Sequence, residues 1–391
     1  MNVVYILNTT CLFGGSVRSF LSLLDGLMKR GVNPIVVLPD CEGVYRLLES
    51  RGIEVVSVCF RPNTYPHNRS TLKDILLFFP KLLARRVVNH RAVSSLCTLL
   101  YRRKIDMVHT NVSVVDIGVR LARKLGVPHL YHVREYGFLD FHEIYYPWPK
   151  AFYRMLRSSY SVCITKHIQV YHGLSGNRLS RVIYNGVDVP EVLGTENVRK
   201  GYFLYAGTID PSKGLHVLLE AYDRYLRHSS RNLELWVAGE VNDAKYYGRL
   251  KHFISQKGIA DKVRFLGGRK DIFQLMQCAD AIVIPSRFEG FGRCMAEAMM
   301  NRCLVVAHDM AGLKEQFENG LEKAGMEIGL RYGTPEELCD CMLQVDCMSS
   351  DELESFRARA YQVARSLYSL SVSVSKIYQF YEDIICKRER S

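Results

Sequence analysis

No run of apolar residues in this chain approaches the roughly 18–20 needed to span a bilayer. The opening Met1-Asn2-Val3-Val4-Tyr5-Ile6 lacks the basic n-region and cleavage site of a signal peptide and reads as a first core strand. Twelve cysteines are present, but no Cys-x-x-Cys pair. They are scattered, mostly in apolar segments (Cys163, Cys278, Cys303), and Cys339-x-Cys341 falls in a predicted helix with no matching His or Cys pair. That pattern argues against zinc and a disulfide framework and for reduced, buried thiols in the cytosol. His129 and His132 have no third ligand and read as structural. The dinucleotide fingerprint G-x-G-x-x-G is missing, which removes support for a nicotinamide cofactor. There is no internal repeat, no low-complexity segment and no nucleic-acid-binding motif.

What is present is an ordinary globular composition, 48% hydrophobic and 24% charged, over 391 residues. That length exceeds a single core of about 250–300 residues, so two domains are expected. The net charge of +12 is uneven: residues 1–190 carry 25 Lys+Arg against 12 Asp+Glu, the remainder 27 against 28. A basic first half points to an anionic partner there. Its basic residues concentrate in segment 73–104, where Leu76-Leu77-Phe78-Phe79-Pro80 is followed by Lys81, Arg85, Arg86, His90, Arg91, Arg102, Arg103 and Lys104. Such a segment reads either as contact with an anionic membrane or as a pair of surface helices over the sheet.

Apolar strand candidates alternate with helical patterns along the whole chain, which predicts parallel sheets covered on both faces. In the first half the strand candidates are 3–8, 34–38, 53–58, 106–109, 127–132 and 161–164. In the second they are 202–206, 233–238, 263–266, 281–284 and 304–307. The division reads as a first domain over 1–188, a linker over 189–200, a second domain over 201–368 and a terminal helix over 369–391 packing back on the first domain. Ligands then belong at the carboxyl ends of strands, in a cleft between domains.

Four strand-to-helix junctions carry the chemistry. Phe13-Gly14-Gly15-Ser16 follows the first strand, where two glycines let a ligand approach the backbone or simply make a turn. In Gly207-Thr208-Ile209-Asp210-Pro211-Ser212-Lys213-Gly214, Lys213 is predicted to open a helix, where a cation gains from a phosphate rather than from the macrodipole. Pro285-Ser286-Arg287-Phe288-Glu289-Gly290-Phe291-Gly292-Arg293-Cys294-Met295-Ala296-Glu297 sets two carboxylates around a glycine loop aimed at a helix N-terminus. Carboxylates repel phosphate, so their partners there are hydroxyls of a sugar and a ribose. Ala311-Gly312-Leu313-Lys314-Glu315 reads as a turn and helix cap.

Glu-x7-Glu from Glu289 to Glu297, the Gly207…Lys213-Gly214 loop, Asn185-Gly186-Val187-Asp188 and Gly14-Gly15 together resemble family 4 glycosyltransferases, over essentially the whole chain. The resemblance implies the GT-B fold, two Rossmann-like doubly wound domains facing across a cleft, and sugar transfer from a nucleotide diphosphate sugar, UDP- or GDP-linked. It implies retention of configuration, no metal and no resident cofactor, and the lack of an Asp-x-Asp triplet agrees. By the same resemblance Glu289 holds sugar hydroxyls, Glu297 the ribose, Gly290, Phe291 and Gly292 the sugar and phosphates, Lys213 the diphosphate, and Gly207 and Thr208 belong to the phosphate loop. Gly14 and Gly15 admit the diphosphate, the base lies near Gly267, Gly268 and Arg269, and His132 faces the reacting sugar. Thr208 departs from the pattern, which often has arginine after the loop glycine; Arg287 or Arg293 is then the candidate substitute. The expected acceptor is a glycan or lipid-diphosphate-linked glycan of envelope polysaccharide assembly at the inner face of the cytoplasmic membrane, with no nucleic acid involved. Two other readings stay open: a sugar-nucleotide epimerase, and a catalytically silent nucleotide-sugar-binding scaffold.

Overall fold

A computed structural model describes residues 1–12, 14–67, 76–146, 148–189 and 200–389. Phe13 of the first glycine loop, residues 73–75 of the basic segment and residues 190–199 of the predicted linker lie outside them. The chain divides into two compact units, Met1–Gly186 with Leu370–Ser391, and Val187–Ser369.

The first unit contains β1 (Asn2–Ile6), β2 (Asn33–Leu38), β3 (Glu54–Ser57), β4 (Thr64–Pro66), β5 (Met107–Thr110), β6 (His129–Val133), β7 (Glu143–Tyr145), β8 (Tyr160–Cys163) and β9 (Ser180–Val182). Seven of these form a sheet in the order β3-β2-β1-β5-β6-β8-β9, parallel throughout, and β4 pairs antiparallel with β7 beside it. Val3, Val4, Tyr5 and Ile6 are all fully buried, as a strand covered by helices on both faces requires. Helix Gly15–Met28 lays Val17, Phe20, Leu23, Leu24 and Leu27 on this core. The C-terminal helix Leu370–Glu389 joins it through Val374, Ile377, Phe380, Tyr381 and Ile384. Gly26 and Gly186 admit that helix: a Cβ on the first would overlap the Val374 side chain, and one on the second would lie 2.7 Å from Leu370 Cα.

Among the described residues of the basic segment lies helix Phe78–Leu100. No glycine or proline interrupts residues 81–100, and Pro80 sits in the first turn, where its missing N–H costs nothing. Leu82, Asn89, Ala92, Val93, Leu96 and Leu100 face inward. Asn89 is satisfied there, donating to the Arg61 carbonyl at 3.0 Å and accepting from the Arg61 N–H at 2.9 Å.

The second unit holds β10 (Tyr202–Ala206), β11 (Glu234–Ala238), β12 (Val263–Gly267), β13 (Ala281–Ile284), β14 (Val305–His308) and β15 (Leu330–Tyr332). They pair in parallel in the order β12-β11-β10-β13-β14-β15. The chain therefore reverses its direction of travel between β10 and β13, and in the first unit between β1 and β5. At such a switch point the two flanking loops diverge to opposite faces and leave a crevice at the strands' carboxyl ends.

Candidate functional site

In the second unit the loops at the switch point are 207–214, after β10, and 285–292, after β13. Asp210 shapes the first, accepting from the Ser212 N–H at 2.9 Å and from its hydroxyl at 2.7 Å. The result is a 3-10 turn, Pro211–Lys213. Lys213 thus closes a turn rather than opening the α-helix, which begins at Leu215 with Gly214 as its N-cap at φ 70. The left-handed conformation and a close approach both demand glycine here, since a Cβ on Gly214 would overlap the Pro285 carbonyl oxygen. The two loops are thereby locked together, and Lys213 Nζ meets Glu289 Oε1 at 2.6 Å. Burial pulls the Lys213 ammonium down, but the charge and hydrogen bond of Glu289 outweigh it and raise the pKa overall.

The helix after the second loop, Arg293–Met300, has Gly292 at φ 84 as N-cap, no capping side chain and no acid in its first turn. That is an anion-ready terminus. Cys294 ties it to the end of β10 through Sγ, 3.4 Å from the Ala206 carbonyl. Arg293 turns back along the helix to Glu297, Nη2 to Oε1 2.9 Å, and both side chains are largely buried. Arg293 is therefore committed to the second glutamate. Arg287 is exposed, its guanidinium 5.9 Å from the Phe288 ring, and its N–H lies 3.4 Å from the Ser212 carbonyl. The Thr208 carbonyl is pinned by the Tyr205 hydroxyl at 2.8 Å.

The neighbouring strand ends complete this edge. Gly207 N–H donates to the Ala238 carbonyl at 3.0 Å and Gly239 N–H to the Gly267 carbonyl at 2.8 Å. Gly268 makes room for the Glu240 carboxylate, which a Cβ would overlap. Arg269 is held bidentate by Asp271 at 2.8 and 2.6 Å.

Ala311-Gly312 does more than cap a helix. Gly312 N–H donates to the Glu289 carbonyl at 3.0 Å, and a Cβ on Gly312 would lie 2.7 and 2.8 Å from the Glu289 and Gly290 carbonyl oxygens. One turn on, Gln316 Nε2 donates to the Phe291 and Gly292 carbonyls at 2.5 and 3.1 Å. Helix Ala311–Ala324 is thus the floor under the glutamate loop.

In the first unit, neither glycine of the Gly14-Gly15 pair is demanded by packing. A Cβ on Gly15 would meet no described atom within 4 Å, and one on Gly14 only the Cys11 carbonyl at 3.9 Å. Helix Gly15–Met28 also starts without a side-chain cap or an acid in its first turn. His129 and His132 diverge: His129 Nε2 bonds Thr110 Oγ1 at 2.8 Å, whereas His132 stacks on His109 with centroids 5.4 Å apart. His132 lies in a buried polar cluster with His109, Asn111, Ser113, Arg134, Glu135 and Asn185, most of which sequence reasoning missed. Arg134 donates to Asn111 Oδ1 at 3.1 Å, to Asn185 Oδ1 at 2.6 Å and to His132 Nδ1 at 3.3 Å. Since His132 Nδ1 accepts, its proton sits on Nε2, which has no partner among the described residues. His109 Nδ1 lies 2.5 Å from the Tyr381 hydroxyl, itself donating to Tyr5 at 3.3 Å, so His109 carries its proton on Nδ1. Burial first, then the Arg134 charge, holds both imidazoles well below their usual pKa, so both are neutral. Glu135 accepts from the Ser113 N–H at 2.6 Å and its hydroxyl at 2.7 Å, yet burial pushes its carboxyl up to about 7.

Two family models match this chain. "Glycosyltransferase Family 4" spans residues 13–191, and "Glycosyl transferases group 1" spans residues 194–327. The chain belongs to glycosyltransferase family 4. An uncharacterized glycosyltransferase of Methanocaldococcus jannaschii is 24% identical over 286 residues, 72% of this chain and 76% of that one. The UDP-Gal:alpha-D-GlcNAc-diphosphoundecaprenol alpha-1,3-galactosyltransferase of Escherichia coli is 25% identical over 63% of this chain and 71% of its own. Anabaena HepE, crystallised with UDP, superposes at a TM-score of 0.75 with 18% identity, covering 98% of this chain and 100% of HepE. WaaG, a glycosyltransferase involved in lipopolysaccharide biosynthesis, superposes at 0.64 with 15% identity, covering 97% and 99%. The fold of this family 4 glycosyltransferase is GT-B.

Gly312→Ala forces backbone carbonyls apart, so it should lower stability by about 1–3 kcal/mol in urea unfolding, where an ordinary helix Gly→Ala change stabilises. Glu135 binds its proton more tightly folded than unfolded. The contribution of Glu135 to stability should therefore fall as pH rises from about 4.5, the usual carboxyl value, to about 7 and level off above, opposite in sign to that of the buried neutral histidines. The stability difference between wild type and Glu135→Gln in urea unfolding should change by that contribution across this window and be constant above it.

Proposed function

We propose that this enzyme transfers a sugar from a nucleotide diphosphate sugar, UDP- or GDP-linked, to a hydroxyl of a glycan or lipid-diphosphate-linked glycan. The reaction retains configuration, uses no metal and serves cell-envelope polysaccharide synthesis at the inner face of the cytoplasmic membrane. The observation that carries this reading is the 2.6 Å Lys213–Glu289 pair at the switch point, beside an uncapped helix terminus. HepE complexes with UDP and with UDP-glucose support the donor class, and the Escherichia coli relative's lipid-diphosphate acceptor supports the acceptor class. No described helix is long and apolar enough to cross a membrane, so contact with a lipid-linked acceptor falls to surface residues.

As the bond to the leaving diphosphate breaks, negative charge grows on its oxygens. Lys213 and the N-terminus of helix Arg293–Met300 are the preorganised positive groups there. Glu289 keeps Lys213 charged and aimed, and offers its carboxylate to sugar hydroxyls. Glu297, oriented by Arg293, takes the ribose. His132 donates through its Nε2–H to a sugar oxygen. With no side chain assigned as a nucleophile, the acceptor attacks on the leaving group's face, and the departing phosphate oxygen takes its proton.

Thr208 favours a second reading, a nucleotide-sugar-binding scaffold that does not turn over. Arg293 is spent on Glu297 and leaves the diphosphate one cation short. Lys213→Ala and Glu289→Gln should each cut transfer about 10²–10³-fold while circular dichroism is unchanged. Donor binding by calorimetry with no product from any acceptor would favour the scaffold. NMR of the product should show the donor's anomeric configuration, and EDTA should leave the rate unchanged; a rate abolished by EDTA and restored by a divalent cation would refute the metal-free step.

A further inference from the structure

A nucleotide diphosphate sugar brings a negative charge on each phosphate and gains more as the sugar bond breaks. The crevice that takes it therefore needs cations in excess of its own acids. At the switch point of the second unit the paired charges cancel: Lys213 is held by Glu289 at 2.6 Å and Arg293 by Glu297 at 2.9 Å. Further along the same edge, Arg269 is held by Asp271 at 2.6 Å, and Lys314 lies 3.9 Å from Glu318. Two cations in the loops at the carboxyl ends of these strands, Lys270 and Arg287, are exposed and have no ion pair among the described residues.

Their places in the sheet separate them. Neighbouring strands lie about 4.8 Å apart and β12 is two strands from β10, so the loop carrying Lys270 starts roughly 10 Å from the switch point. Arg287 is on the loop after β13 itself, two residues before Glu289. The backbone around it is fixed. Its N–H lies 3.4 Å from the carbonyl of Ser212, the neighbour of Lys213, and the Ser286 carbonyl lies 3.4 Å from His308 Nδ1. Gly214 rests on the Pro285 carbonyl just before it. The side chain is not fixed in this way. Its guanidinium lies 5.9 Å from the Phe288 ring, near the outer limit of a cation–π contact, so leaving that ring costs little.

We propose that Arg287 is a further catalytic residue, the cation left over for the donor: its guanidinium leaves the Phe288 ring and binds oxygens of the diphosphate. The planar fork of arginine meets two phosphate oxygens at once. Recruiting Arg287 also leaves the Lys213–Glu289 and Arg293–Glu297 pairs intact, whereas recruiting Arg293 would strand Glu297. Arg287 gives up no proton. When the sugar–oxygen bond breaks, its electron pair stays on the phosphate oxygen, the guanidinium balances that added charge, and the acceptor's proton goes to the oxygen. The diphosphate is then not one cation short, which removes the ground for a scaffold that does not turn over. The inference rests on the donor class proposed above and adds a residue to it.

Calorimetry of the full chain with UDP and with GDP tests it at the binding step, and transfer assays test it at the chemical step. A hydrogen bond between charged groups contributes about ten-fold or more in affinity, so Arg287→Ala should weaken whichever diphosphate wild type binds by that factor. Arg287→Lys should lose less and Arg287→Glu more, and added salt should narrow the gap between wild type and Arg287→Ala. A merely structural role would give neither the charge order nor the salt dependence. Transfer by Arg287→Ala should fall about 10²-fold. The side chain faces solvent, so thermal unfolding should match wild type. Lys270→Ala should bind and transfer as wild type does. Wild-type diphosphate affinity and rate in Arg287→Ala, or an equal loss in Lys270→Ala, would overturn the inference and leave the proposed function standing. Wild type that binds neither diphosphate would overturn both.

Discussion

Backbone resting directly on backbone, at three places, holds the second unit's site together. Gly214 lies against the Pro285 carbonyl, Gly239 against the Gly207 carbonyl, and Gly312 against the carbonyls of Glu289 and Gly290. Carbonyl oxygens in a packed loop cannot rotate away as a side-chain tip can, so any Cβ at these points displaces a chain segment. The first contact joins the loops of β10 and β13, and the third sets them on helix Ala311–Ala324. Lys213 and Glu289, 76 positions apart, meet at 2.6 Å only because those loops are already fixed. Long side chains bridging the same loops would each lose rotamer freedom; glycine contacts impose no such cost.

The electrostatics follow from that geometry. Two carboxylates flank an anion-ready helix terminus, an arrangement that by itself would repel a diphosphate. Each carries its own cation: Lys213 for Glu289, Arg293 for Glu297. The Arg293–Glu297 pair is the more buried, and losing one partner of such a pair costs far more than an exposed pair contributes. Arg293 is therefore a poor substitute for an arginine at position 208, since leaving Glu297 would strand a buried charge. Arg287, exposed at the start of the same loop, has no ion pair among the described residues, and its backbone N–H alone is fixed, to the Ser212 carbonyl.

Much of this was legible because it is local. Continuous apolar runs announce strands buried on both faces, and the Glu-x7-Glu segment with its glycines carries its own turn chemistry. The basic segment's composition was legible too, but which of its apolar residues stay exposed, Phe79 and Leu83 among them, was not. Phe79 and Leu83 are the same residue types as core residues, and only packing decides which side of a helix a neighbour covers. Gln316 was invisible for a different reason: its partners are carbonyls about 25 positions earlier, and a backbone carbonyl leaves no residue signature. Lys213 was misplaced by two positions because Asp210 and Pro211 build a 3-10 turn that propensity does not separate from a helix start.

The first unit's polar cluster raises the question of why two neutral histidines are buried side by side. Tyr381, 272 positions from His109, takes the Nδ1 proton's hydrogen bond and leaves His109 with a bare Nε2 acceptor. Arg134 does the opposite to His132, occupying Nδ1 and leaving an Nε2–H donor. Identical side chains thus present opposite hydrogen-bonding characters within one stack. Burial, and after it the positive guanidinium nearby, keeps both from protonating, so the distinction does not dissolve as pH falls through the usual imidazole range. A phosphate oxygen, acceptor only, matches His132 and not His109. A hydroxyl both donates and accepts and so matches both characters of the pair.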